Sequence, residues 1–401
     1  MLTDSDVTSV QGRGRVDPEV RLRSSGGTGL LPRWAIGVLV LCLCAGCGAD
    51  RLPSDSAQGG PAIPDGIPRA GSSVVMTIPN ASDTAGTLLG NVYSGFARDG
   101  RVFVANGAEH AVLEYDTTGT LLRRIGRAGH GPGEFMAIRW IALLQPDSLL
   151  VLDSELRRIT VFDASGTYAR SFTVELPEVG EPQWIAEHGS EIALSYSKGV
   201  DPRGLEDGGL ARDSDIVVMI DRNPESAAIP VSSLPPLAGR WWQRLPAAGR
   251  YRLHAVEGGA SPAVAAHGNV LIAASSDVQE VRRLDRNQWD VIPLRRQQWD
   301  NGEVEGSPGV PARLYDGLVV GPNGSFWLGD ARLAQDSLRV WRVFDSTGTL
   351  TEAVLLPGTF RPWQVDSSWV LGRSEADDGS ETVAIRRIRE AEGTSGDASL
   401  Q

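Results

Sequence analysis

Lysine is almost missing from this chain of 401 residues: of its 38 basic residues, Lys198 is the only one that is not arginine. Schiff-base chemistry or a phosphate-binding loop would have to rest on that one side chain, which sits in a polar stretch beside Gly199 and reads as solvated surface. Cysteine is nearly as scarce. The three present, Cys42, Cys44 and Cys47, all lie near the N-terminus, so the rest of the chain has no thiol for a disulfide or a Cys-ligated zinc site. Among the five histidines, His110, His130, His188, His254 and His267, no two stand four residues apart, which excludes the helical zinc-protease pattern. A Gly-x-Ser-x-Gly nucleophile elbow is also missing. The formal net charge of -12 argues against a generic nucleic-acid binder.

Long apolar runs are missing too, with one exception. Trp34 through Ala45 covers only about 18 Å as a helix, against the roughly 30 Å of a hydrocarbon core, so a secretory leader over 1–46 is the better reading than a membrane span. Cys44 and Cys47 have the Cys-x-x-Cys spacing of redox motifs, but their place inside an apolar leader argues against that role. Ala45, Gly46 and Cys47 resemble the bacterial lipoprotein signal. The resemblance implies that Cys47 is lipidated and that the protein is exported and anchored in a cell-envelope membrane, facing the periplasm or the surface. Residues 47–73, rich in Gly, Pro, Ser and Asp, read as the lipidated Cys and a flexible tether.

Beyond the tether the chain repeats. A turn followed by a short β-rich run occurs at Asp99-Gly100, Asp147-Ser148, His188-Gly189, His267-Gly268, Asn323-Gly324 and Asp366-Ser367. A second element joins an aromatic residue and Asp to Gly-Thr: Tyr115-Asp116 to Gly119-Thr120, Phe162-Asp163 to Gly166-Thr167, Phe344-Asp345 to Gly348-Thr349. Asp bonds nearby backbone and Gly takes positive φ, so both reverse the chain between strands. Short Val, Ile, Leu, Phe and Trp runs at this spacing predict an all-β fold, a six-bladed β-propeller of four-stranded antiparallel blades over 74–390, with a polar tail at 391–401. The run Val74 to Ile78 precedes the first repeat and is expected to complete the last blade, closing the ring.

The stretch Arg124, Ile125, Gly126, Arg127, Ala128, Gly129, His130, Gly131, Pro132, Gly133, Glu134, Phe135, followed by the strand around Trp140, resembles bacterial six-bladed β-propeller lipoproteins with NHL-like repeats. Its glycines do not make a phosphate cradle, because Pro132 and strand-like residues follow where a helix N-terminus is needed. Segments 199–215 and 233–260 depart from the repeat, leaving the boundaries of the third and fourth blades open.

Some propellers of related shape are calcium-dependent hydrolases or lyases whose ligands project from inner strands. Here the expected inner strands carry Phe96, Trp140, Trp184, Val264, Leu318 and Trp363, with Asp316 the nearest acid. No cofactor is therefore predicted, and calcium or zinc belongs to the alternative reading of a hydrolase or lyase. Trp140, Trp184, Trp327, Trp363 and Trp369 read as inter-blade packing. Trp241 and Trp242 differ, lying in an insertion with Arg240 and Arg244, and this residue mix suits a contact surface. His130 and His254 lie in loops that could reach a propeller face. The main reading is a membrane-anchored binding or scaffold module for a protein, peptide or glycan.

Overall fold

Asp-to-Gly-Thr turns set the strand spacing, and their hydrogen bonds show how. In a computed structural model of the protein, Asp116 Oδ1 accepts from the backbone N–H groups of Thr118 and Thr120 at 2.8 and 3.0 Å and from the Thr118 hydroxyl at 2.6 Å. Asp163 and Asp345 repeat this with Ser165 and Thr167, and with Thr347 and Thr349. Gly119, Gly166 and Gly348 follow at φ 82, 76 and 86, the left-handed region where a Cβ is strained.

These bonds favour the ionised carboxylates. The Thr118 hydroxyl and then backbone N–H groups hold Asp116 below its ordinary value of 3.8. Ser165 does the same first for Asp163, and Thr347 for Asp345. A lowered folded-state pKa gives stability that is fully present above the unfolded value and lost as pH falls through the folded one. Replacing all three by Asn should therefore lower the thermal midpoint at pH 7 more than at pH 3. Equal losses at both pH values would show that the turns contribute no such linkage.

The chain divides into two units at Ala49 and Asp50. The structure describes residues 63–79, 89–176, 180–224, 227–228, 230–247, 250–256, 262–285, 288–294, 309–311, 313–333 and 338–390, all in the second unit. The leader, Cys47 and the tail at 391–401 lie outside the described residues.

After β1 (Arg69–Ile78) the strands form six blades in succession, the last two joined through β1 into one eight-stranded sheet. Blade 1 is β2 (Val92–Arg98), β3 (Arg101–Asn106), β4 (Ala111–Asp116) and β5 (Leu121–Ile125). A short parallel pair, β6 (Arg127–Ala128) and β7 (Glu134–Phe135), leads to blade 2: β8 (Ile138–Leu144), β9 (Ser148–Asp153), β10 (Arg158–Phe162) and β11 (Tyr168–Val174). Blade 3 holds β12 (Glu181–His188), β13 (Glu191–Lys198) and β14 (Leu210–Asp221). Next come β15 (Ala227–Ala228), which pairs with β11, and β16 (Pro230–Ser233), which pairs with β14. The hairpin β17 (Leu237–Ala247) and β18 (Arg250–Ala255) extends blade 3. Blade 4 is β19 (Pro262–His267), β20 (Val270–Ser275), β21 (Glu280–Asp285) and β22 (Gln288–Pro293). Blade 5 is β23 (Tyr315–Val320), β24 (Phe326–Leu333), β25 (Leu338–Phe344) and β26 (Leu350–Pro357). Blade 6 is β27 (Arg361–Val365), β28 (Trp369–Glu375) and β29 (Glu381–Glu390), with β1 as its fourth strand.

Successive residues of a strand face opposite sides, so a blade buried on both sides needs near-continuous apolar runs. In β9, Leu150 and Leu152 pack toward blade 3, while Leu149 and Val151 pack toward blade 1. Six apolar cores result, one between each pair of neighbouring blades, and the ring closes where Met76, Ile78, Leu371 and Val383 meet Val102 and Leu113. The expected closing strand is present: β1 runs antiparallel to β29 from Ala70↔Glu390 to Ile78↔Val383. Trp327 and Trp369 pack between blades, as the repeat predicts.

Two features differ from the sequence reading. The expected tether runs to residue 73, yet β1 begins at Arg69 and pairs in parallel with β26 at Ala353. Ile63 and Ile67, four residues apart, pack beside Val340 and Leu355, an apolar face hidden by the Pro and Gly around it. The irregular segments at 199–215 and 233–260 supply much of β14 and the added hairpin, which widens blade 3 rather than blurring it.

Candidate functional site

The first strand of each blade, β2, β8, β12, β19, β23 and β27, lines a central channel of about 760 Å³. Phe96, Trp140, Trp184, Val264, Leu318 and Trp363 all border it, the six residues that the sequence places on inner strands. All six also pack against the cores between blades, and Trp363 lies against Gly95, where a Cβ would come within 2.7 Å of the indole. The wall thus combines aromatic and aliphatic side chains, held by the fold, with polar ones such as Arg98, Glu187, Arg222 and Gln364.

At the end where inner strands turn into second strands, polar groups are used between blades. Gln364 of blade 6 accepts from Ala97 N at 2.6 Å and donates to Ala97 O at 3.1 Å. Arg98 of blade 1 reaches Asp147 of blade 2 at 2.7 Å. Glu187 of blade 3 accepts from Gln145 N at 2.8 Å and pairs with Arg222 at 2.9 Å. Asn269 of blade 4 accepts from Gly189 N at 3.2 Å. His188 and His267 end equivalent inner strands, as their repeat positions predict. Burial lowers the His188 pKa against the opposing pull of Glu191.

The other end is built from bulges. In β2, β8, β12, β23 and β27 the inner strand takes one residue more than its partner, between Val92 and Gly95, Ile138 and Trp140, Pro182 and Trp184, Tyr315 and Leu318, and Pro362 and Gln364. A bulge re-aims side chains and recurs beside functional sites. The bulged residues include Tyr93, Arg139, Gln183 and Asp316. Arg139 lies 4.7 Å over the Tyr93 ring and donates to Gln183 Oε1 at 2.5 Å, while Gln183 Nε2 approaches the Glu181 carboxylate at 3.4 Å.

Asp316 is surrounded by guanidinium groups. Arg313 lies at 3.1 Å, Arg339 at 3.3 Å and Arg361 at 3.9 Å from its oxygens. A calcium ion prefers several oxygens of free carboxylates and carbonyls. These neighbours fit a cation poorly, so Asp316 does not serve the alternative calcium reading. No group of three or more His, Cys, Asp or Glu side chains suited to a metal comes together among the described residues.

Four of the candidate contact residues, Arg240, Trp241, Trp242 and Arg244, share β17, and His254 lies on β18 opposite Gln243. Their side chains are partly committed. Trp242 Nε1 donates to Asp213 Oδ2 at 2.8 Å, Arg212 lies 5.5 Å over Trp241, and Arg240 lies 6.0 Å over Trp242. Arg244 pairs with Asp207 at 3.3 Å. Arg240 and His254 are exposed and the two indoles half-buried, so the hairpin presents a polar rim with the indoles beneath it. Close by, burial and then the Asp213 charge push Asp215 up to about 6. His130 is exposed in the loop between blades 1 and 2, where its carbonyl accepts from Arg158, and it belongs to a different blade from the others.

Residues 84–179 match the family DUF5128, described as a 6-bladed beta-propeller. No curated protein sequence matches the chain. Among solved structures, similarity extends to a protein of Bacteroides fragilis described as exported, with 9% identity, TM-score 0.46, and coverage of 82% of this chain and 97% of the other. A member of the duf4221 family from Bacteroides vulgatus gives 10% identity, TM-score 0.46, and 76% and 94% coverage. Virginiamycin B lyase from Staphylococcus aureus gives 10% identity, TM-score 0.38, and 75% and 97% coverage. The six blades, their ring of cores and the matched segment together make the described domain a six-bladed β-propeller.

Proposed function

We propose that this chain is an exported, lipid-anchored binding module that takes a glycan or an extended peptide into its central channel. The observation that carries the reading is the channel wall, where Phe96, Trp140, Trp184 and Trp363 come from four different blades and border one cavity. Trp184 is buried among the cores, and the half-buried rings of Phe96, Trp140 and Trp363, held by inter-blade packing, offer stacking surfaces without loss of side-chain freedom on binding. Tyr93, Arg139 and Gln183 supply hydrogen-bonding groups beyond them. Arg98, Glu187, Arg222 and Gln364 line the same cavity, so polar groups stand beside the rings.

Export and anchoring rest on the leader and on Cys47. Several acyl chains on one Cys would hold the domain stably at a membrane, whereas one chain holds it only marginally. Cys47→Ser should move the protein from the membrane fraction to the soluble fraction, while Tm of the domain stays unchanged.

The channel is tested by tryptophan fluorescence on titrating three ligands: cellohexaose, trigalacturonate and an extended decapeptide. At least one should quench saturably, and Trp140→Phe or Trp363→Phe should weaken that ligand about three- to tenfold, the range of an aromatic contact. A response unaltered in both variants would move the site off the channel, and no response from any of the three would overturn the reading.

A further inference from the structure

Between blades 6 and 1, where the ring closes, lies a second cavity of about 470 Å³. It sits at the end where inner strands turn into second strands, bordered by the turn at Asp99-Gly100 and the turn from Asp366 to Ser368. Its size is that of a small-molecule site, about 300–1,000 Å³. Strand alternation aims Trp369 of β28 and Ile385 of β29 toward Val102 of β3, and both lie half-buried at the edge of the core to which Val102 belongs. Val75 completes this apolar side. It is the extra residue of a bulge in β1 between Val74 and Met76, and it is left 56% exposed at the cleft.

The charges that border the cleft are committed, with one exception. Arg98 pairs with Asp99 at 2.9 Å and with Asp147 at 2.7 Å, and Arg101 pairs with the buried Glu114 at 2.6 Å. Asp366 Oδ1 accepts from the Ser367 backbone N–H at 2.5 Å and from its hydroxyl at 2.9 Å. Arg387, the register partner of Trp369 across β28 and β29, is exposed, and its guanidinium has no hydrogen-bond or ion-pair partner among the described residues. An apolar cleft with one uncommitted guanidinium at its rim is complementary to a molecule with an apolar body and one acidic group.

We propose that the cleft between blades 6 and 1 binds a small amphipathic carboxylate, its apolar body against Trp369, Ile385 and Val75 and its acid group on Arg387. The guanidinium fork holds a carboxylate by two parallel hydrogen bonds, and the indole offers the body a flat apolar face. The site is independent of the central channel. Only Ala97, Arg98 and Gln364 border both cavities, and Arg98 and Gln364 are already engaged by Asp99, Asp147 and the Ala97 backbone. Because Val75 belongs to the closing strand, the ligand would also bridge β1 to blade 1.

The test is isothermal titration calorimetry of the protein with 4-phenylbutyrate and with octanoate, each beside its neutral amide. At least one acid should bind saturably, and about tenfold or more tighter than its amide, the contribution of a charge-assisted pair. Arg387→Gln should bring that acid down to the affinity of the amide. Val75→Asp, which sets a like charge beside the ligand, should weaken the acid about fivefold or more. Both side chains are exposed, so Tm should stay unchanged in either variant. Preference for phenylbutyrate would mark an aromatic acid and preference for octanoate a fatty acid; either supports the site. No saturable binding of either acid, equal affinity for acid and amide, or binding that survives either substitution unchanged would overturn it. An acid that loses affinity in Trp140→Phe but not in Arg387→Gln would lie in the channel, and the cleft proposal would fall while the channel reading stands.

Discussion

Deletion of residues 69–78 should lower the thermal midpoint by on the order of 10 °C or more and leave a protein prone to aggregation. This strand comes from outside the repeat and supplies the fourth strand of blade 6. It buries Ala70, Met76 and Ile78 in the cores on either side of that blade. Full burial of a Met or Ile side chain contributes about 1.5–3 kcal/mol. Ser72 adds hydrogen bonds to Leu355 O at 3.3 Å and from Arg386 at 2.9 Å, joining blade 5 to blade 6. A loss of about 5 kcal/mol corresponds to roughly 10–20 °C at 2–4 °C per kcal/mol for a domain of this size. The deletion also bares the edges of β29 and β26, and open edges recruit other chains. Ile78→Ala, a milder version, should cost about 2–4 kcal/mol. A calorimetric midpoint unchanged by the deletion would mean that the ring does not depend on its closure.

Asp330→Ala should be the most damaging single substitution among the ion pairs, at about 3–5 kcal/mol in urea denaturation. Both partners are out of water: the Arg342 side chain is 0% exposed and that of Asp330 1%. Removing the carboxylate takes away the negative charge that offsets the desolvation of the buried guanidinium. The charged pair itself is a weak source of stability, so Asp330→Leu with Arg342→Met should recover most of the loss. By contrast Arg203→Ala, at an exposed pair with Asp201, should cost less than about 1 kcal/mol. A loss below about 1 kcal/mol for Asp330→Ala would show that water reaches Arg342.

The architecture was legible because its signals are local. The turn at Asp163 needs only Ser165, Gly166 and Thr167, all within four residues, and the same turn recurs at Asp116 and Asp345. Inner-strand residues such as Trp140 and Trp363 could be read from their place ahead of each turn. The bulges could not, because whether β8 takes an extra residue against β9 depends on the pairing and not on either strand alone. The arginine cluster was hidden for a similar reason. Arg313, Arg339 and Arg361 are separated by more than twenty residues at each step, and only the stacking of blade 6 on blade 5 gathers them around Asp316. The same acid, read from sequence as the nearest metal candidate, is enclosed by cations. In the blade 3 insertion, Trp and Arg composition pointed to a contact strand but could not show that Asp213 fixes Trp242.

The most direct test of the channel as the binding site is fluorine NMR of the protein labelled with 5-fluorotryptophan. Resonances are assigned by Trp→Phe substitution and followed as the best-quenching of the three ligands is added. The account predicts shifts at Trp140, Trp184 and Trp363, which border the channel, and none at Trp241 or Trp242 on the blade 3 hairpin. Shifts confined to Trp241 and Trp242 would contradict it, and would place binding on the outer strand instead.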